Sequence, residues 1–181
     1  MAKAPWGKTI VRGIVRYSTA SHGGYHVSPK LNALIHPALR FENGRYEEDC
    51  EWARVEVSFP QYFPDTQEEA LQCLKAWNPD AYEAWSGVIL QPGESHTKDR
   101  RLFLEAHKND YLVLSAYGSW HEEVPEGFVG VYAGKGGRTP EGSFPDDTAY
   151  FLVLKEFYKP DMVLDAMEYG IKIWSCKASM E

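Results

Sequence analysis

Cysteine is scarce in this sequence, and its spacing is not that of a metal site. Cys50, Cys73 and Cys176 are scattered along the chain, and no Cys-x-x-Cys or paired Cys/His pattern occurs. This excludes a zinc-finger type of domain and a small secreted scaffold held by disulfides. We therefore expect no metal ion and no cofactor.

Long apolar runs are also missing. No stretch reaches the roughly 18 apolar residues of a membrane span. The first residues, Met-Ala-Lys-Ala-Pro-Trp, lack the apolar segment of a signal peptide. The sequence thus predicts a reduced, soluble, cytoplasmic protein that does not bind a membrane.

Positive charge is in short supply, since 19 Lys and Arg residues stand against 26 Asp and Glu residues and the formal net charge is −7. The contiguous basic runs, Lys98–Arg101 and Lys135–Arg138, are short, so direct nucleic-acid binding is not expected. Gly134–Arg138 has the glycines of a phosphate loop but not the Walker spacing, and Pro140 follows it. Nucleophile-elbow, zinc-protease and dinucleotide motifs are absent too.

Aromatic residues, by contrast, are abundant, at 14% of the chain within a hydrophobic fraction of 44%. This composition indicates an ordered globule, and a length of 181 residues predicts one globular domain over residues 1–181. The predicted elements run from strands through helices to strands. That order predicts an α+β fold, with a mostly antiparallel twisted sheet and a few short helices packed on it.

The strand predictions rest on alternating or continuously apolar segments. They cover residues 8–17, 52–59, 111–117, 128–133, 149–157 and 171–174. The helix predictions rest on capping signals followed by apolar residues at helical spacing. They begin at Ser28-Pro29, at the capping box Thr66–Glu69, at Asp80, near Ser95 or Thr97, and at Asp161. The helix that begins near Ser95 or Thr97 is expected to bury Leu102, Phe103 and Ala106. The helix that begins at Asp161 is expected to end at Tyr169.

The first candidate site is the polar stretch Ser18–His26. His22 precedes Gly23-Gly24 at the predicted end of a strand, a position where functional loops are common. With a pKa near neutrality, His22 could serve as a general base or bind a ligand. The alternative is a tight turn in which Ser and His side chains bond backbone groups. Ser21, His22 and Tyr25 are the candidate contact residues.

The second candidate site is the acidic stretch around Glu47, Glu48 and Asp49. Residues 42–56 contain six acids and two arginines, which gives a net charge of −4. A solvated surface explains such a cluster most simply. The functional interpretation uses Glu48 or Asp49 as an acid/base partner of His22, or uses the cluster to bind a basic partner or mimic nucleic-acid phosphates.

Cys50 lies inside this acidic stretch, between Asp49 and Glu51. Neighbouring negative charge disfavours a thiolate, so Cys50 is a nucleophile only if protonated His22 lies against it. Otherwise it is a small buried apolar residue. A metal held by His22 and His26 needs a curled loop, because in a strand these residues are about 13 Å apart.

The motifs of the N-terminal half resemble a family of uncharacterised proteins. They are Pro5-Trp6-Gly7, Gly13-Ile14, Tyr17-Ser18-Thr19, Ser21-His22-Gly23-Gly24, Tyr46-Glu47-Glu48-Asp49-Cys50-Glu51-Trp52-Ala53, Phe59-Pro60-x-x-Phe63 and Asn78-Pro79-Asp80-Ala81-Tyr82. That family, a domain of unknown function, occurs on proteobacterial plasmids, integrative elements and phages. The resemblance implies a mobile-element context and raises the interest of His22, Glu48 and Asp49, but it implies no activity.

Two function classes follow. The first is a mobile-element or phage accessory protein that inhibits a host defence complex, in the manner of an anti-CRISPR protein, by binding a host protein or nucleoprotein. Its contact residues would be the acidic stretch together with Trp120, Glu122 and Glu123. The second is a small hydrolase or transferase in which His22 acts with Glu48, Asp49 and Cys50. The oligomeric state stays open.

Overall fold

Short strands and short helices build the chain, and the computed structural model describes residues 6–139, 141–164 and 172–173. In these residues the strands are β1 (Trp6–Val11), β2 (Ile14–Ser18), β3 (Gly23–Val27), β4 (Arg45–Glu47), β5 (Tyr111–Tyr117), β6 (Phe128–Lys135), β7 (Thr148–Leu154), β8 (Val163–Leu164) and β9 (Lys172–Ile173). The helices are α1 (Pro29–Asn32), α2 (Trp52–Ser58), α3 (Gln67–Trp77), α4 (Pro79–Ser86) and α5 (His96–Ala106), with one 3-10 turn at Pro60–Tyr62.

The chain divides into two compact units, residues 1–100 and 101–181, and the boundary falls within α5. The N-terminal unit has a four-stranded antiparallel sheet in the order β1-β2-β3-β4. The C-terminal unit has a five-stranded antiparallel sheet in the order β8-β5-β6-β7-β9. The predicted α+β class with antiparallel pairing is confirmed, although the strands are divided between two separate sheets.

The first predicted strand, residues 8–17, is a hairpin of two strands. Arg12 and Gly13 form the turn, and Gly13 adopts φ 103°, a conformation that glycine reaches without steric cost. Alternation continues through such a short turn, so the apolar pattern alone did not reveal it.

The predicted strand at residues 52–59 is wrong, because this segment forms helix α2. The Phe59 N–H donates to the Val55 carbonyl at 3.1 Å, a helical bond. Ala53, Val55, Glu56 and Val57 are all buried. A helix buried on several sides has no single apolar stripe, so its pattern imitated the alternation of a strand.

The core of the N-terminal unit lies between its sheet and its helices. Ile14, Tyr25, Val27 and Tyr46 extend from the sheet. They form one apolar cluster with residues of α1, α2, α3, α4 and the loops, among them Ile35, Leu39, Ala53, Val55, Val57, Phe59, Phe63, Ala70, Leu74, Tyr82 and Leu90. This packing holds α2 against the strands that carry both candidate site segments.

The helix predictions of the N-terminal unit are largely confirmed. Pro79 separates α3 from α4, and the Ser95 hydroxyl accepts a bond from the Lys98 N–H at 3.3 Å where α5 begins. Thr66 is the N-cap residue of α3, as predicted, but its hydroxyl donates to Glu56 instead of accepting a bond from the helix. Leu102, expected on a buried face, is 52% exposed, and Ala106 is exposed as well.

In the C-terminal unit the strand predictions at residues 111–117 and 128–133 are confirmed as β5 and β6, and that at residues 149–157 is confirmed up to Leu154 as β7, with residues 155–157 in a turn. Its core consists of Val131, Ala133, Phe151, Val153 and Leu164. The predicted helix from Asp161 is contradicted at Val163–Leu164, which form β8, and residues 165–169 lie outside the described residues. No helix in the described ranges is long and apolar enough to cross a membrane.

Candidate functional site

His22 closes the turn between β2 and β3. The Thr19 hydroxyl donates to the His22 carbonyl at 2.9 Å and accepts from the His22 N–H at 3.0 Å. The Thr19 N–H also donates to the His22 carbonyl, at 2.6 Å. A threonine thus satisfies the turn backbone, while the side chains of Ser21 and His22 point into solvent.

Pairing of β3 with β4 brings the acidic stretch beside this turn, with Gly24 opposite Glu47. Glu48 follows Glu47 at the end of β4, and Gly23 precedes Gly24 on β3. The Glu48 carboxylate lies directly against Gly23, and a Cβ at Gly23 would collide with it. Gly23 follows His22 in the chain, so the His22 loop and the Glu47–Cys50 segment are adjacent in the fold.

Residues 47–51, the acidic turn, lead from β4 into α2. The Glu47 N–H donates to the Glu51 carboxylate at 2.9 Å, which fixes the turn internally. Glu47, Glu48 and Asp49 are exposed, and none of them takes part in an ion pair within the described part of the chain. Three negative charges are therefore exposed to solvent on a turn whose backbone is held by hydrogen bonds.

The negative charges of the acidic turn affect the pKa of Tyr17, a residue of β2. The pKa of Tyr17 is raised, first by burial and then by Glu47, with smaller contributions from Glu51 and Glu48. Arg45 works in the opposite direction but does not cancel the effect. The acidic turn therefore remains a region of negative potential.

Cys50 is half-buried at the end of this turn, close to Cys73 of α3. The Cys73 thiol donates weakly to the Cys50 carbonyl at 3.9 Å. Burial, followed by Cys50 and Glu69, raises the pKa of Cys73. Among the described contacts, neither thiol is hydrogen-bonded to a histidine, so the arrangement that activates a cysteine nucleophile is not formed.

Tyr25 was predicted to contact a partner, but it is buried and not available for such a contact. It is only 4% exposed, and its hydroxyl donates to Glu56 Oε1 at 2.6 Å. Alternation explains the outcome, because Tyr25 is on the inner face of β3 while His26 is on the outer face.

Glu56 is the polar residue that sequence reasoning missed as a site feature. It is 5% exposed and accepts bonds from the hydroxyls of Tyr25 and Thr66. The Gln67 amide donates to the Glu56 carbonyl at 2.9 Å. A helical interpretation of residues 52–58 would have found it, because Ala53, Glu56 and Val57 then share one buried side.

The remaining predicted contact residues belong to the C-terminal unit, in the loop between β5 and β6. Trp120 is 76% exposed, with its ring 6.3 Å from Tyr117 and 5.9 Å from His121 between centroids. Glu122 and Glu123 are exposed, and buried Val124 anchors the loop. The loop thus presents one large aromatic ring beside two acids.

No group of three or more His, Cys, Asp or Glu residues with metal-binding geometry is found in the described ranges. His22 lies in the turn and His26 on the outer face of β3, so the curled loop that a shared metal would need does not form.

The fold defines an α+β protein whose N-terminal sheet carries an exposed histidine turn beside an exposed acidic turn. The chain belongs to the family described as a domain of unknown function, DUF7007, whose model matches residues 1–108. The expectation of an uncharacterised family is thereby confirmed, and the match includes both turns. Comparison with curated proteins and with solved structures gave no match.

Proposed function

We propose that this chain is a binding protein of a mobile genetic element, a plasmid or a phage, and that it inhibits a host defence complex by docking on a basic surface of that complex. The observation that carries the proposal is the acidic turn, in which Glu47, Glu48 and Asp49 are exposed and not ion-paired among the described residues. Charges presented in this way steer a basic partner and suppress wrong partners.

Pre-organisation supports binding by the acidic turn. Its backbone is fixed on one side by pairing with β3 and on the other by α2, whose apolar residues belong to the core. A surface that is already ordered loses little conformational entropy when a partner docks. The negative charges therefore need no rearrangement to meet a basic surface.

The Trp120 loop supports the same function from the C-terminal unit. Exposed tryptophan is typical of interface hot spots, and Trp120 is flanked by exposed Glu122 and Glu123. An aromatic anchor with an acidic rim suits a partner that offers a pocket lined with Lys or Arg.

Charge reversal tests this function. We expect Glu47→Lys/Glu48→Lys to slow association with the partner about tenfold or more at low salt, because steering is lost. The difference should shrink as salt screens the charges. The measurement uses the complex captured from the native host, with association rates recorded at low and high ionic strength. The functional readout is plasmid transformation of a host whose defence complex blocks it. The wild-type chain should restore transformation, and the double variant should restore it less.

The matched control is Glu141→Lys/Asp146→Lys, which changes the net charge equally at exposed positions outside both predicted contact regions. It should bind at the wild-type rate. Equal slowing by control and test variants would reduce the effect to total charge. Wild-type association of both Glu47→Lys/Glu48→Lys and Glu122→Lys/Glu123→Lys at low salt would eliminate the proposal.

One observation favours the alternative of a small hydrolase or transferase. The Glu48 carboxylate lies against Gly23, the residue next to His22, so the two residue types that acid/base chemistry uses are on adjacent turns. In that case His22→Ala should abolish turnover while partner binding stays unchanged. Inhibition of the host complex that survives His22→Ala would favour the binding protein.

A further inference from the structure

The N-terminal end of this acidic chain carries positive charge without any acidic residue. Residues 1–41 contain six Lys and Arg residues and neither Asp nor Glu, so their formal charge is +6 although the whole chain carries −7. The first acidic residue is Glu42. The remaining sequence therefore carries −13, and the low content of positive charge hides a strongly basic segment.

The fold turns this basic segment into one surface. Lys8 of β1 is paired in register with Arg16 of β2, and both side chains are exposed. Directly opposite residues of an antiparallel pair share a face with their Cβ atoms about 5 Å apart, and like charges in that position are destabilising. An anion lying between Lys8 and Arg16 would remove this cost.

Two further cations lie near the turn end of the same hairpin. Arg12 is in the β1–β2 turn, and the Ser28 N–H donates to the Gly13 carbonyl at 2.8 Å, which holds the start of α1 beside that turn. Lys30, in the first turn of α1, is exposed, as is Arg12. We define Lys8, Arg12, Arg16 and Lys30 as the basic surface.

No member of the basic surface has an acidic partner in the part of the chain that the structure describes. β1 is also an edge strand of the described sheet, with Gly7, Lys8 and Thr9 exposed. Its outer backbone N–H groups add neutral donors beside Lys8. Such a mixture of cations and backbone N–H groups is what phosphate oxygens contact.

We propose that the basic surface binds the phosphate backbone of a nucleic acid. The cations extend over about 13 Å along the hairpin, from Lys8 to Arg12, which suits a linear polyanion better than a single small anion. Interfaces with a protein partner typically centre on a few buried anchors, among which aromatic residues are enriched. Residues 7–30 contain no exposed large apolar side chain, so phosphate contacts explain this surface better.

This binding does not depend on the proposed inhibition of a defence complex. If both hold, the acidic turn and the basic surface bind different components of a nucleoprotein. The acidic turn faces its basic protein component, and the basic surface faces its nucleic acid.

The test measures binding of the full chain to fluorescent oligonucleotides by anisotropy, with single-stranded RNA, single-stranded DNA and duplex DNA as probes. Four phosphate contacts predict that affinity falls roughly 50- to 150-fold between about 50 and 200 mM salt, the smaller figure applying to single strands. Lys8→Glu/Arg16→Glu should weaken binding at least about tenfold. The log–log salt dependence should become shallower by about 1.4 to 1.8.

The matched control is Lys155→Glu/Lys159→Glu, an equal charge change at exposed positions of the C-terminal unit. It should bind like wild type, and circular dichroism should show both variants folded. Should Lys8→Glu/Arg16→Glu fail to fold, Lys8→Gln/Arg16→Gln removes the cations without adding negative charge.

Each contrary result overturns the proposal. They are no binding of any probe at about 50 mM salt, equal loss in the control, and tighter binding to poly-glutamate than to every oligonucleotide. The last result would identify an acidic protein as the partner. Salt-sensitive self-association in sedimentation, abolished by Lys8→Glu/Arg16→Glu while oligonucleotides do not bind, would identify a second copy of the chain.

Discussion

Replacement of Gly24 by alanine is expected to unfold the N-terminal unit at physiological temperature. Gly24 has φ 143°, and a Cβ there would overlap the Tyr46 carbonyl oxygen and lie 3.0 Å from the Tyr17 hydroxyl. The Tyr46 backbone cannot retreat, because its side chain is fully buried. We expect a loss of about 4 kcal/mol or more in the free energy of unfolding, measured by urea denaturation.

Gly87→Ala is the matched control. Gly87 also has a positive φ, 72°, but no atom lies within 4 Å of a Cβ built there. Its cost is limited to backbone strain of about 1–2 kcal/mol. A Gly24→Ala loss no larger than that of Gly87→Ala would show that β3 and β4 are not packed as closely as described.

The second large effect concerns the buried carboxylate of Glu56. Tyr25→Phe removes the hydroxyl that donates to Glu56 Oε1 at 2.6 Å and leaves that oxygen with one donor fewer in the core. Hydrogen bonds to charged groups contribute about 1.5–3 kcal/mol, and we expect a loss of that size in thermal or urea unfolding. Tyr62→Phe, at a partly exposed position of the same unit, should change stability little.

The same bond predicts how stability depends on pH. Burial, and then the bond to Glu56 and its charge, raise the pKa of Tyr25 far above its ordinary value of 10.0. The unfolded chain releases this proton near pH 10 while the folded chain keeps it, so stability falls as pH rises above about 10. The stabilisation is fully present below that pH. Tyr25→Phe should show a shallower alkaline decrease, and an unchanged decrease would exclude Tyr25 as its source.

Local sequence signals predicted the elements whose ends are marked. Pro79 separates two helices and Ser95 caps a third, and the continuous apolar run at residues 111–117 forms β5. These signals work because proline restricts the backbone and a hydroxyl at a helix start bonds a free N–H. Neither effect depends on what the element packs against.

Signals failed where burial decided the outcome. Residues 52–59 alternate between apolar and polar, yet the core accepts Glu56 because Tyr25 and Thr66 supply donors. The capping box at Thr66 predicted the start of α3 correctly, but its hydroxyl bond to the helix does not form, because the hydroxyl donates to Glu56. The basic surface was overlooked because total charge and contiguous runs do not show that six cations precede the first acid.

The sequence by itself determined the α+β class, the residue types of both candidate turns and the charge contrast between residues 1–41 and the rest of the chain. Only the tertiary structure decided which side chains are available for function. Pairing of β3 with β4 places Glu48 against Gly23, and the inner face of β3 withdraws Tyr25 into the core. The physical reason is that strand register and helix burial are set by contacts between residues distant in sequence, which local propensity does not contain.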